Sequence, residues 1–411
     1  MSFDSDVAVL GTGVAPLVAA NLLLAQGKSV LLLNPDWDFF LEDSELPLDP
    51  LIPQIPSPAR LSKSLSNQTL DTLRPDFPGA IEFWHSGIQH YGFHDHLAPH
   101  VRQRDRLWVS SSESSSEPSS EPNWEGLEKL YVEASDFGLN PQILEGHSAM
   151  HRFPGLHSAS NDLSGLLIPK LCDVDVARYR NGLLEFVRER LGPLHLISNA
   201  GQIERMPGGI RFSHKGSPCT ARLKDGMLVF WTPRLSPWVL NQTKKKGISP
   251  KLPRGVRLWE HWTLNIERPL NPNTVGIYDN LVVWADIEGS PHFKEPSELG
   301  APILAKSAKL AVLRAGPLVS LGAMQLPEVS LNWATTESFQ ALGKLCHELL
   351  KLERFSVQAF RPKAIFEWDH EESWMACMED PCIQIISRCD GPLIEIVRVV
   401  RAACEKLLLE T

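Results

Sequence analysis

The sequence predicts an α/β fold in which a layered domain with a parallel sheet is joined to a second, mostly β domain. Three observations predict it: a βαβ unit at the N-terminus, a meander of short strands in mid-chain, and a strand, a break and a long helix at the C-terminus. The 411 residues, 43% of them hydrophobic, leave room for two domains and exclude a disordered tail protein.

Val7-Ala8-Val9-Leu10 is wholly apolar, the pattern of a strand covered on both faces. Gly11-Thr12-Gly13 breaks it. Residues 14–26 are apolar helix formers and stop at Gly27, where a helix C-cap belongs. Residues 29–33 form a second buried strand and complete the βαβ unit. Residues 35–58, rich in proline and acid, read as loop, and the Ser/Glu/Pro run at 110–122 reads as a mobile surface insertion with nothing apolar to bury. Helices are expected over 124–137 and 175–191 from their helical spacing of apolar residues. A strand at 195–197 is followed by 202–206, a Pro207-Gly208-Gly209 turn and 210–213, a hairpin pattern. Residues 221–223 and 227–231 continue the β pattern, as does most of 256–286. A helix is expected over 337–352, then a strand at 383–386, a break at Asp390-Gly391-Pro392, and a helix over 393–409.

Composition narrows the function classes. Lys plus Arg is 40 and Asp plus Glu is 49, a net charge of −9. That balance argues against a nucleic-acid binder, and Lys244-Lys245-Lys246 is too short a run to change it. Seven cysteines, odd in number and irregularly spaced, form no disulfide framework and suggest a reducing compartment. The acidic start Met1-Ser2-Phe3-Asp4-Ser5-Asp6 has no basic region, and the longest mainly apolar stretch, 14–25, is short of the roughly 20 residues a membrane span needs. The expectation is a soluble, cytoplasmic protein.

The glycine-rich turn carries the most chemistry. Between a buried strand and a helix, Gly11 permits a tight turn, Gly13 lets the backbone approach a pyrophosphate, and the helix N-terminus at Val14 and Ala15 meets its charge with free N–H groups. This is the Rossmann-like arrangement that binds FAD or NAD(P). Pro16 stands where the full fingerprint has a third glycine. At the end of the second strand, where a carboxylate grips a ribose hydroxyl, the chain has Asn34, which hydrogen-bonds without charge assistance.

The chain resembles the FAD-dependent oxidoreductases of the D-amino-acid oxidase and glycine oxidase type. The resemblance rests on four pieces in order: the βαβ unit; Gly165-Leu166-Leu167-Ile168-Pro169 with Asp175-Val176-Ala177-Arg178 opening a helix; the meander from 195 to 231; and Phe360-Arg361-Pro362 with Phe366-Glu367-Trp368-Asp369, like the family's "G-x-R-P" segment. It implies an FAD-binding-type domain from 1–82, 152–253 and 359–411, and a substrate-type domain from 83–151 and 254–358. It implies oxidation of a small amine or amino acid, with hydride passing from the carbon bearing nitrogen to the flavin. Cofactor contacts then fall on Gly11, Gly13, Val14, Ala15, Asn34, Ile203, Thr232 and Gly391. Arg361 takes the substrate carboxylate, a task its planar donor fork suits.

Departures from the family accompany these matches. Thr232-Pro233-Arg234 is bulkier than the small-residue turn expected after the meander, and only Gly391 remains of the C-terminal glycine-rich turn. The alternative reading is therefore a non-catalytic member of the fold that has lost flavin and acts as a binding or assembly partner; the Rab GDP-dissociation inhibitors are similar in their "G-T-G" turn. A nicotinamide-dependent dehydrogenase is a third reading, which the order of the C-terminal segments disfavours. His85, His90, His94, His96 and His100 cluster where Gly87, Gly92 and Pro99 prevent a helix from gathering them, so no metal is expected. Cys377, Cys382 and Cys389 match no zinc spacing, and the tryptophans from 231 to 284 read as core.

Overall fold

The computed structural model describes residues 1–34, 101–111, 127–128, 131–132, 134–135, 140–152, 163–174, 176–191, 195–232, 235–244, 252–267, 273–278, 281–286, 308–320, 336–348, 350–367, 375–378, 382–387 and 393–409. The architecture is mixed α/β, with two eight-stranded sheets.

The first sheet begins with β1 (Ser2–Leu10), α1 (Val14–Ala25) and β2 (Val30–Asn34). β1 and β2 are parallel, with Val7 to Leu10 opposite Val30 to Leu33. Val7–Leu10 and Val30–Leu33 are buried on both faces, which is why these stretches do not alternate. α1 ends in a Schellman motif: Lys28 N–H donates to Leu23 C=O at 3.1 Å, and Gly27 N–H to Leu24 C=O at 3.0 Å. Gly27, at φ +77°, supplies the left-handed residue that this motif requires.

The second sheet opens with β3 (Val101–Ser111), β4 (Gln142–Glu145) and β5 (Leu163–Val174), with the short helix α2 (His147–Arg152) between β4 and β5. The chain then returns to the first sheet through α3 (Val176–Leu191), β6 (Leu196–Ser198), the hairpin β7 (Gly201–Met206) and β8 (Gly209–His214), and the long β9 (Ser217–Phe230). After α4 (Ser236–Lys244) come β10 (Gly255–Ile266), β11 (Thr274–Tyr278), β12 (Leu281–Asp286), β13 (Ala308–Ser320), α5 (Thr336–Glu348) and β14 (Phe355–Glu367). β15 (Met375–Met378), β16 (Ile383–Ile386) and α6 (Leu393–Leu409) close the first unit.

The first sheet runs β15-β16-β9-β1-β2-β6, with β8 and β7 added beside the first half of β9. Its five central strands are parallel. One face packs on α1, α3 and α6 through Val9, Val18, Leu23, Leu183, Val187, Phe230, Val400 and Leu407. The other carries Leu10, Leu33, Ile210, Phe212, Trp231, Leu235 and Val239. The second sheet runs β14-β10-β13-β12-β11-β3-β5-β4 and is antiparallel except at β11–β3. Two stretches expected in the first domain ladder here instead: β5 pairs with β3 and β4, and residues 359–367 lie in β14, paired with β10. The 35–58 loop and the histidine cluster lie outside the described residues, as does all of the Ser/Glu/Pro insertion except its start in β3.

Candidate functional site

The order of the parallel strands fixes where a ligand can sit. From β1 the chain winds one way to β2 and β6 and the other way to β9 and β16. Beyond the carboxyl ends of β1 and β9 there is thus a topological switch point, the crevice where open α/β sheets bind ligands. Gly11, Asn34, Ser198, Thr232 and Ser387 follow or end the strands that open into it.

Gly11 is held by its neighbours. Its N–H donates to Leu33 C=O at 3.1 Å. A Cβ at Gly11 would stand 2.8 Å from the Phe230 Cβ and 3.1 Å from the Phe230 carbonyl oxygen. This glycine is therefore demanded first by the contact of β1 with β9, a reason the motif alone does not reveal. Gly13 is the N-cap of α1, with φ +84° and ψ −153°, a backbone region essentially restricted to glycine.

Gly13 has no side chain with which to cap α1, and no acidic residue lies in the helix's first turn. The N–H groups of Val14 and Ala15, at the start of the helix, have no partner within it, and the positive end of the helix dipole lies beside them. Both residues are buried, as is Pro16, which removes one donor from the same turn. Asn34 ends β2 opposite Ser198, and its carbonyl accepts from Ala200 N–H at 2.9 Å. Thr232 follows β9 and is 6% exposed, with no partner for its hydroxyl among the described residues. An uncapped anion-binding helix end, a glycine-only N-cap and an orphaned buried hydroxyl fit a dinucleotide lying across this crevice.

The remaining expected positions are spread out. Ile203 lies on β7 and packs against the apolar face of the first sheet that carries Phe212 and Trp231. Gly391 is outside the described residues. Arg361 lies on β14 in the second sheet, opposite His261 of β10. Sequence reasoning did not single out His261. It is 2% exposed and stacks on Trp284 with centroids 5.6 Å apart and planes 6° from parallel. Its signal was faint, since only the β10–β14 register brings residues 100 positions apart together. Among the described residues no group of three or more His, Cys, Asp or Glu is placed to hold a metal ion, and no helix is long and apolar enough to cross a membrane.

Comparison with solved structures agrees with this topology. Glycine oxidase from Geobacillus kaustophilus superposes with a TM-score of 0.66 at 12% identity, covering 100% of this chain and 95% of that one. The fold is that of the FAD-dependent oxidases. NikD, an amino acid oxidase of nikkomycin biosynthesis, gives a TM-score of 0.64 at 13% identity, covering 98% of this chain and 94% of its own. L-α-glycerophosphate oxidase from Mycoplasma pneumoniae, solved with FAD bound, gives 0.64 at 12% identity with the same coverage. No family model matches the chain, and no curated protein matches its sequence. The likeness is one of fold.

Proposed function

We propose that this protein is an FAD-dependent oxidoreductase acting on a small amine or amino acid. The observation that carries the reading is the uncapped N-terminus of α1 at the switch point of the parallel sheet. In this reading the N–H groups of Val14 and Ala15 take the pyrophosphate, and the glycine at 13 lets it approach. Asn34 hydrogen-bonds the adenosine ribose, and the Thr232 hydroxyl gains the partner it lacks. Ile203 and Gly391 complete the set of cofactor contacts. When bound, FAD supplies the two-electron acceptor for oxidising a carbon–nitrogen bond. The chain's own work is orientation: Arg361, paired with His261 in the β10–β14 ladder, would hold a substrate carboxylate, a task its planar donor fork suits. The solved structures of this fold include glycine oxidase, iminodiacetate oxidase and an amino acid oxidase, which supports the substrate class.

A second reading, a non-catalytic relative that binds a protein partner, draws on the buried proline in the first turn of α1. One preparation separates the two. The flavin reading expects a yellow protein whose visible absorption is that of oxidised flavin and which releases FAD on denaturation. A colourless protein that takes up no added FAD overturns it. Replacing Arg361 with Leu is expected to raise KM for an amino acid with little effect on FAD content; unchanged kinetics would remove the arginine's role.

A further inference from the structure

We propose that His214 is a positioning residue for the adenosine half of the cofactor, acting through the corner between β6 and β7; this rests on the flavin reading above. His214 ends β8 and is half-buried, and its Nδ1 lies 3.2 Å from the Ser198 carbonyl oxygen at the end of β6. A carbonyl oxygen only accepts, so Nδ1 carries the proton and donates. Two residues beyond Ser198, Ala200 N–H donates to the Asn34 carbonyl at 2.9 Å. Asn34 and Ser198 are the last paired residues of β2 and β6. Two hydrogen bonds thus lead from His214 through the corner to the end of β2, on the side of the switch point away from β9.

The backbone of the corner shows why it needs holding. Asn199 and Gln202 have φ of +54° and +47°, the left-handed region that side chains disfavour. Lys215, at +49°, has an ordinary reason, since Lys215-Gly216 forms the two-residue turn of the β8–β9 hairpin. β7 pairs with β8 and not with β6, so that reason is missing at Asn199 and Gln202. Instead β7 carries one extra residue between Gly201 and Glu204, opposite Ser213 and Arg211 of β8, which makes a bulge at Gln202-Ile203. The side chains of Asn199 and Gln202 are exposed, so packing does not enforce their conformation. Such residues persist where surrounding contacts fix them, and they gather beside ligands. Here the fixing contacts are the bond from His214 and the bond to Asn34. A dinucleotide at the switch point lays its adenosine over β2 and β6. The corner and Asn34 form one preset unit there, and His214 keeps it preset.

Calorimetric titration of the flavin-free protein tests this role. ADP carries the adenosine and diphosphate but no flavin ring. His214→Leu is expected to bind ADP about tenfold more weakly than wild type, and FAD by the same factor. Asparagine places its side-chain amide nitrogen where Nδ1 stood, so His214→Asn is expected to bind both as wild type does. Glutamine reaches past that point to the position of Nε2, and His214→Gln is expected to behave as the leucine variant does. It carries the test should leucine prevent folding. A purely structural role would lower the melting temperature of the Leu and Gln variants and leave ADP affinity alone; that result overturns the proposal, as does failure of asparagine to restore binding. A wild-type protein that binds neither ADP nor FAD ends the flavin reading and this role with it, a result unlike a loss confined to the variants.

Discussion

Asp6 and Ser29 tie the amino ends of β1 and β2 together. The Asp6 carboxylate accepts from Ser29 N–H at 2.8 Å and from the Ser29 hydroxyl at 2.9 Å, while Asp6 N–H donates to that hydroxyl at 2.8 Å. The bond from the Ser29 backbone holds the Asp6 carboxyl below its ordinary value, against partial desolvation. A carboxyl with a depressed folded-state pKa contributes stability above its unfolded value and loses it as pH falls through the folded one. Asp6→Asn should therefore flatten the fall in melting temperature as pH drops below about 4, the unfolded carboxyl value; an unchanged slope would remove the clamp. At the opposite end of β1, Gly13→Ala places a side chain in a glycine-only region and should cost about 1–3 kcal/mol in chemical denaturation, with weakened FAD binding. The motif made Gly13 legible in the sequence. The stronger demand on Gly11, from Phe230, was hidden because it depends on a strand more than 200 residues away.

At the level of elements, legibility followed burial and continuity. β16 and α6 fall on their expected bounds, and α3 starts within one residue of them, because a buried strand of isoleucines around one glutamine and well-spaced amphipathic helices carry their signal locally. β9 is one strand from Ser217 to Phe230, although its sequence reads as two pieces. The interruption is a bulge against β1 between Leu223 and Gly226, where Gly226 at φ +132° lets the Cys382 carbonyl approach to within 2.3 Å of where a Cβ would stand. α5 stops at Glu348, four residues early, yet Leu350 and Leu352 remain buried and bond back to Leu345 and Cys346 at 3.1 and 2.8 Å. Apolar spacing alone does not distinguish that wide turn from another helical one. β3 and β13 escaped notice because charges fill the first and Gly316-Pro317 interrupt the second, and β3 pairs with β11, far along the chain.

Packing within these elements can be tested directly. Gly209 begins β8, and a Cβ there would lie 2.0 Å from the Ala221 carbonyl oxygen of β9. Gly209→Ala forces that ladder apart and should cost about 2–3 kcal/mol or leave the protein insoluble; a wild-type denaturation midpoint would contradict the contact. In α6, Cys404 is 1% exposed, and burial pushes its thiol up to about 12; Cys346 in α5 is raised to the same value by the same cause. Neither should react with an alkylating reagent at about pH 8 until the protein is unfolded. Rapid native labelling of either, read by mass spectrometry, would place it nearer the surface than its helix does.

At the scale of the whole molecule, the end of β14, still paired with β10, packs against the first sheet. Phe366 packs edge-on against Trp231 with centroids 5.2 Å apart and planes at 88°, and joins the apolar cluster of Leu10, Leu33 and Val229. Trp231 follows β9 directly and is anchored to β16 by its N–H to Ile386 C=O at 2.8 Å. The same stretch of chain thus borders the switch point of the first sheet and joins the two sheets. A ligand held by the first sheet should stabilise both only while this contact survives. In the flavin reading, FAD at about 100 times its Kd would add roughly 2.7 kcal/mol by mass action. Spread over 411 residues unfolding as one unit, that is a rise of about 3 °C in Tm. Phe366→Ala should split the melt into two transitions, with FAD raising the one that follows the first sheet by more than the wild-type shift and leaving the other in place. A single transition in this variant, shifted by FAD as in wild type, would show that the two sheets are coupled through other contacts.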